Sequence, residues 1–296
     1  MRLEYIYSQI DINEGMFFDG KKPIISFEVF PPKEDVTNKN LAIVNEIRQL
    51  MQFNPRLVSV TYGAGGTTKA NSLELARLIK RELKLDVMPH FTCKNSSKEF
   101  IENYLSEIEE ECFENVLALR GDIPLGEEIT CHDFKYANEL VEFIKSKTNL
   151  SVGVAGYPEG HSESRDLDFD IENLKKKFDA GANAIYTQLF FDNTYFYNYC
   201  EKVQKAGINL PVIPGILPIT SYNQLSKMIL LCGVDVPSSL RSKLEKYKHD
   251  SNAVKEIGLD FAISQTQKLM DFGVPGMHFY ILNKALPTFD ILETLL

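Results

Sequence analysis

The chain of 296 residues holds five cysteines and no Cys-x-x-Cys pair. Cys93, Cys112, Cys131, Cys200 and Cys232 are scattered and odd in number, so neither a zinc site nor a disulfide framework is signalled. Free thiols in a reducing cytosol are the expectation. No apolar stretch reaches the roughly 18 residues of a membrane span. The opening Met1-Arg2-Leu3-Glu4-Tyr5-Ile6-Tyr7 lacks the apolar core of a signal peptide. These absences lead to the expectation of a cytoplasmic location. Basic residues form no long run and the formal net charge is −9, which argues against a nucleic-acid groove or an anionic membrane surface as partner. There is no Walker motif and no G-x-G-x-x-G dinucleotide fingerprint. Linker-like tracts and second-domain boundaries are missing too, so residues 1–296 are expected to form one domain.

What is present is a recurrence. Eight short apolar runs lie at 24–30, 57–61, 87–91, 116–119, 152–155, 184–189, 212–216 and 278–282, and polar residues follow each. Most begin roughly thirty residues after the last, the length of one strand-plus-helix unit. Eight such units predict an α/β fold, the closed (β/α)8 TIM barrel, whose strand ends surround one mouth. Helical patterns fill the gaps. Leu41, Val44, Ile47 and Met51 recur at helical spacing, as do Leu75, Leu78 and Ile79. Ser96 with Glu99 forms a capping-box pattern, Asp168 is a candidate cap for a helix that Gly181 would end, and residues 192–206 read as helical. The gap between strands seven and eight is about twice the usual size, which predicts one or two extra helices there. A short helix is expected within the first twenty residues.

Side chains alternate along a strand. In the first strand Glu28 shares a face with Ser26, while Ile25, Phe27 and Val29 share the other and suit the layer under the helices. Pro31 and Pro32 end the run. Glu28 is thus expected inside the barrel near its top, where a carboxylate is costly to ionise, as suits a general acid. Parity also sends Thr61, His90, Arg120, Asp122 and Gln188 toward the mouth. The loop Tyr62-Gly63-Ala64-Gly65-Gly66-Thr67-Thr68 permits close approach to a ligand. Asp170, Asn173, Lys176 and Lys177 lie at helical spacing early in the fifth helix. One face there offers a carboxylate to a sugar hydroxyl and amines to phosphates.

These residues are where the chain resembles the methylenetetrahydrofolate reductase family. Phe27-Glu28-Val29-Phe30-Pro31-Pro32-Lys33 is similar to that family's opening motif. So, at the following strand ends, are Val60-Thr61-Tyr62-Gly63, Pro89-His90-Phe91-Thr92-Cys93, Leu119-Arg120-Gly121-Asp122 and Ala155-Gly156-Tyr157-Pro158-Glu159-Gly160-His161. Thr187-Gln188-Leu189-Phe190-Phe191-Asp192, Ile213-Pro214-Gly215-Ile216-Leu217-Pro218 and His278-Phe279-Tyr280 complete an ordered set that spans nearly the whole chain.

The resemblance implies a flavin enzyme that reduces 5,10-methylenetetrahydrofolate to 5-methyltetrahydrofolate with NADH or NADPH. FAD would lie at the barrel mouth and the two substrates would take turns at one flavin face, a ping-pong arrangement. Glu28 matches the general acid at folate N10, and Asp122 the carboxylate near flavin and pterin. Thr61, His90, Arg120, Gly121, Asp122, Tyr136, Ala155, Tyr157, His161, Asp170, Asn173, Lys176 and Lys177 match FAD-binding positions. Glu28, Asp122, Gln188, Tyr222, Tyr280 and Lys284 match substrate-side positions. Tyr222 stands where bacterial relatives tend to carry Phe, and either ring can stack. Lys284 replaces a substrate-side Arg, which keeps the charge but loses the bidentate fork. No metal is implied, and a homo-oligomer is expected. The chain ends soon after the eighth strand, so no C-terminal regulatory domain and no S-adenosylmethionine site are expected. Two other readings stay open at this point. One is a flavin subunit fed by an iron–sulfur partner; the other is a Schiff-base aldolase, which needs a lysine inside a strand end, where the sixth strand offers Gln188 and Lys94 and Lys284 lie just beyond their strands.

Overall fold

All eight predicted strands are present, and nearly every residue in them is buried, as parallel strands covered on both faces must be. The computed structural model describes residues 1–8, 22–32, 36–62, 69–122 and 130–296. The strands are β1 (Ile24–Val29), β2 (Leu57–Val60), β3 (Asp86–Thr92), β4 (Asn115–Leu119), β5 (Ser151–Gly156), β6 (Ala184–Leu189), β7 (Val212–Ile216) and β8 (Gly276–Tyr280). They run parallel in the order β1 to β8, and β1 pairs with both β2 and β8, so the sheet closes into a (β/α)8 barrel. Between them lie α1 (Leu3–Ile6), α2 (Val36–Gln49), α3 (Lys69–Leu83), α4 (Lys98–Glu110), α5 (Ala137–Lys147), α6 (Leu167–Asp179) and α7 (Asn193–Lys205). The gap after β7 holds α8 (Tyr222–Cys232), α9 (Ser238–Lys246) and α10 (Ser251–Asp271), and α11 (Leu286–Leu295) follows β8. No helix among the described residues is long and apolar enough to cross a membrane.

The parity of β1 is as the alternation required. Ile25, Phe27 and Val29 join the large cluster between strands and helices, while Ser26 and Glu28 turn inward. Leu57, Met88, Leu117, Tyr186 and Ile213 fill the barrel, and Leu3 and Ile6 of α1 plug it from one end with Tyr7, which follows that helix. The Tyr7 and Tyr186 hydroxyls meet there at 3.2 Å. A third cluster, with Leu217, Leu225, Leu244 and Val254, anchors the added helices α8–α10 beside the mouth.

Local details differ from the sequence reading. The cap of α4 is Ser97, whose Oγ accepts from the Phe100 amide at 3.1 Å, because Ser96 Oγ donates to Thr92 O instead. Asp166 caps α6 by accepting from the Phe169 amide at 2.7 Å; Asp168 lies inside the first turn and pairs with Lys202. β8 ends at Tyr280 because Leu282 and Asn283 adopt left-handed backbone angles, φ 47° and 59°. On α2 the buried stripe runs through Ile43, Val44 and Ile47, with Leu50 buried just after it, and Leu41 is exposed. Residues 63–68 of the glycine-rich loop and 9–21 of the N-terminal segment lie outside the described residues.

Candidate active site

Glu28 sits at the inner end of β1, nearly buried, with Oε2 3.5 Å from His90 Nε2 on β3 and 3.9 Å from His278 Nε2 on β8. The register explains this meeting, since Glu28 pairs across to Ser59 and Tyr280, and Ser26 to His278. Ser26 Oγ lies 2.7 Å from His278 Nδ1 and Ser59 Oγ 3.2 Å from its Nε2, so hydroxyls hold both ring nitrogens. His90 is different. Its Nε2 is buried without a hydrogen bond. Burial pushes its pKa down to about 4, with the Glu28 carboxylate opposing and His278 adding to the fall. His90 is therefore neutral at physiological pH, and its contact with Glu28 is not an ion pair. His278 was not singled out in the sequence, although its inward parity with Tyr280 was there to be read.

A second group of side chains gathers where β4, β5 and α6 converge. Arg120, Tyr136, Ala155, Tyr157, His161, Asp170, Asn173, Lys176 and Lys177 all line one cavity of about 490 Å³. The Asp166 cap and helical spacing aim Asp170, Asn173 and Lys177 along one face of α6. Lys177 Nζ donates to Ala155 O at 3.0 Å and Lys176 Nζ to Asn173 Oδ1 at 2.9 Å. Burial lowers the Lys177 pKa, with Asp170 opposing, and raises that of Asp170, with Lys177 opposing; the pair offset each other's desolvation. Arg120 forks onto Glu163 at 2.5 and 2.7 Å. That hydrogen-bonded pairing holds the Glu163 carboxyl down at about 2. Nothing in the spacing had marked Glu163.

Asp122 and Gln188 line an adjoining cavity of about 200 Å³, which shares Tyr157 and His161 with the first. The Asp122 side chain is 95% exposed. Gln188 falls where the β6–β7 register shifts between Tyr186 and Leu189, an irregularity of the kind that re-aims side chains. Gly121 needs its φ of +83°, and a Cβ there would stand 2.8 Å from Thr92 Cβ. Thr61 caps β2, its amide donating to Val29 O.

Tyr280 and Lys284 line a third, mostly apolar cavity of about 320 Å³ beneath α10 and α11. The Tyr280 hydroxyl donates to Thr187 O at 2.7 Å. Tyr222 lines none of these three cavities, and its hydroxyl hydrogen-bonds Glu245 on α9. Among the described residues, no group of three or more His, Cys, Asp or Glu side chains is placed to hold a metal.

Residues 15–296 match the family model for methylenetetrahydrofolate reductase. The chain belongs to the methylenetetrahydrofolate reductase family. The 5,10-methylenetetrahydrofolate reductase of Salmonella typhimurium is 33% identical over 271 residues, 92% of this chain and 90% of that one. Methylenetetrahydrofolate reductase 1 of Schizosaccharomyces pombe is 36% identical over 280 residues, 93% of this chain but 46% of that one. An Arabidopsis thaliana relative named as methylenetetrahydrofolate reductase (NADH) 1 is 36% identical, with 48% of its length covered. The chain thus spans about half the length of these eukaryotic reductases. A Clostridium thermocellum structure, described as binding two copies of 5-methyl-5,6,7,8-tetrahydrofolic acid, superposes with a TM-score of 0.68 at 13% identity, covering all of both chains. At that identity it is a likeness of fold. Membership in the reductase family sets the aldolase reading aside.

Proposed function

We propose that this protein reduces 5,10-methylenetetrahydrofolate to 5-methyltetrahydrofolate, with FAD as resident cofactor and NADH or NADPH as reductant. One observation carries the reading. Nine residues matched to FAD-binding positions, from four separate stretches of chain, meet in one cavity, and that cavity adjoins the one holding Asp122 and Gln188. The donor set fits the cofactor. Lys176 and Lys177 offer cations to phosphates, and Asp170 and Asn173 offer partners for ribityl hydroxyls. FAD, when bound, supplies the two-electron redox chemistry.

The chain's own residues do the rest. Glu28, facing inward near the end of β1, donates the proton to folate N10 as the five-membered ring opens. Neutral His90 packs against Glu28 without supplying a cation that would hold it ionised. Asp122 accepts hydrogen bonds from the pterin, and Gln188 contacts folate and nicotinamide in turn. One mouth serves both substrates, which gives ping-pong kinetics. The Arabidopsis relative's name supports NADH as reductant, and the family match supports a folate substrate. Residues 1–296 act as one catalytic domain in the cytoplasm, assembled as a homo-oligomer.

The test is an anaerobic visible spectrum of the purified chain with NADH and then methylenetetrahydrofolate added. A flavin band that bleaches with NADH and returns with folate establishes both half-reactions. A band that neither NADH nor NADPH bleaches points to a protein electron donor, such as an iron–sulfur partner. A chain that takes up no FAD overturns the proposal.

A further inference from the structure

The structure assigns Glu163 a positioning role: its carboxylate holds the Arg120 guanidinium away from Asp122. This rests on the function proposed above, in which Asp122 serves the substrate. Arg120 Nη2 lies 2.7 Å from Glu163 Oε1 and 3.7 Å from Asp122 Oδ1. Two carboxylates therefore compete for one nitrogen. Glu163 prevails because it also takes Nη1, at 2.5 Å, and a planar fork favours the bidentate partner. The Asp122 carboxylate is left facing open space in the adjoining cavity.

The backbone of Glu163 acts in the same direction. Its amide N–H donates to His161 Nδ1 at 3.1 Å, which makes Nδ1 an acceptor and places the neutral ring's hydrogen on Nε2. One residue thus fixes the guanidinium plane of one cavity-lining side chain and the tautomer of another. Without the Glu163 carboxylate, the mostly buried Arg120 keeps one ion-pair partner among the described residues, Asp122. The guanidinium then turns onto Asp122 and occupies the oxygens that the pterin requires.

The consequence is a coupling between two residues, not a simple loss of charge. Glu163→Gln keeps the shape of the side chain and its backbone bond to His161. In the FAD-loaded chain it should slow flavin reoxidation by methylenetetrahydrofolate about tenfold, the scale of one charge-assisted hydrogen bond. Glu163→Asp should recover part of that rate. In an Asp122→Asn background the same Glu163→Gln change should cost little more, because the group it protects is already gone. Penalties that simply add would overturn the assignment. So would tighter FAD binding by the Glu163→Gln apoprotein with an unchanged reoxidation rate, which would make Glu163 a competitor of the cofactor's phosphates. A crystal structure of Glu163→Gln decides the geometry on its own terms. Arg120 bonded to Asp122 supports the role, and Arg120 in its present place overturns it. A wild-type chain that takes up no FAD counts against the proposed function and leaves that structural test standing.

Discussion

Glu28 Oε2 and His90 Nε2 stand 3.5 Å apart inside the barrel mouth, and the imidazole carries no charge at neutral pH. That pairing bears on the chemistry. An imidazolium in the same place would bind an ionised Glu28 and oppose its use as a proton donor. A neutral ring fills the space and excludes water without doing so. The hydroxyls of Ser26 and Ser59 hold His278 on the other side, so the carboxyl is bracketed by two rings of different bonding.

Glu28→Gln separates the two half-reactions. The variant should still take up FAD and be bleached by NADH, because Glu28 lines none of the cofactor-side cavity. Reoxidation by methylenetetrahydrofolate should fall by about 10²–10⁴-fold, the range for losing a positioned general acid. Stopped-flow traces of each half-reaction check this; normal folate turnover would remove Glu28 from its assigned role.

His90 makes stability depend on pH with a definite sign. Its folded pKa of about 4 lies below the ordinary 6.5, so between those values the unfolded chain binds a proton that the folded chain excludes. Stability therefore falls as pH drops from about 6.5 toward 4. The loss between pH 7 and pH 5 should be about 2 kcal/mol from this group. Urea unfolding at the two pH values, compared with His90→Asn, measures it. The variant should show a shallower dependence.

Lys177→Met tests the cofactor-side cavity. The lysine is the buried cation facing Asp170, and its Nζ donates to Ala155 O. Methionine keeps the stem but removes the charge. FAD affinity should drop about 10- to 100-fold, in line with a hydrogen bond to a charged group. Asp170 would lose the cation that offsets its burial, so the apoprotein should also lose stability at neutral pH. Titration of apoprotein with FAD and a thermal melt read the two effects separately.

The barrel was legible because a parallel strand buried on both faces writes itself as a continuous apolar run. Glu28 and Gln188 were legible by parity within such runs. The capping of α4 and α6 was not, since Ser96 and Ser97, or Asp166 and Asp168, offer the same chemistry in sequence and only loop geometry chooses between them. Glu163 was out of reach for a related reason. Its partner Arg120 lies 43 residues away on another strand end, and no local pattern marks a contact made by loop path. Tyr222 shows a further limit: the residue type suits stacking, but no local pattern shows that its hydroxyl meets Glu245 on α9.

The packing of the mouth on the β6–β8 side can be probed at Gly215. Its amide donates to Thr187 Oγ1, while the Tyr280 hydroxyl donates to Thr187 O, so three strands are tied at one residue. A Cβ at position 215 would lie 2.3 Å from Thr187 O and 2.6 Å from Tyr280 Cε2. Backbone cannot yield as a side-chain tip does, so Gly215→Ala should cost about 1–3 kcal/mol or more and displace Tyr280. Gly207→Ala is the control. Its φ is +67° with nothing within 4 Å of the added Cβ, so it should show only the left-handed penalty of about 1–2 kcal/mol. The two variants differ in what they disturb: Gly215→Ala should raise the KM for folate through Tyr280, and Gly207→Ala should not. Equal melting temperatures and equal kinetics for the pair would mean that Thr187 and Tyr280 do not close the mouth as described.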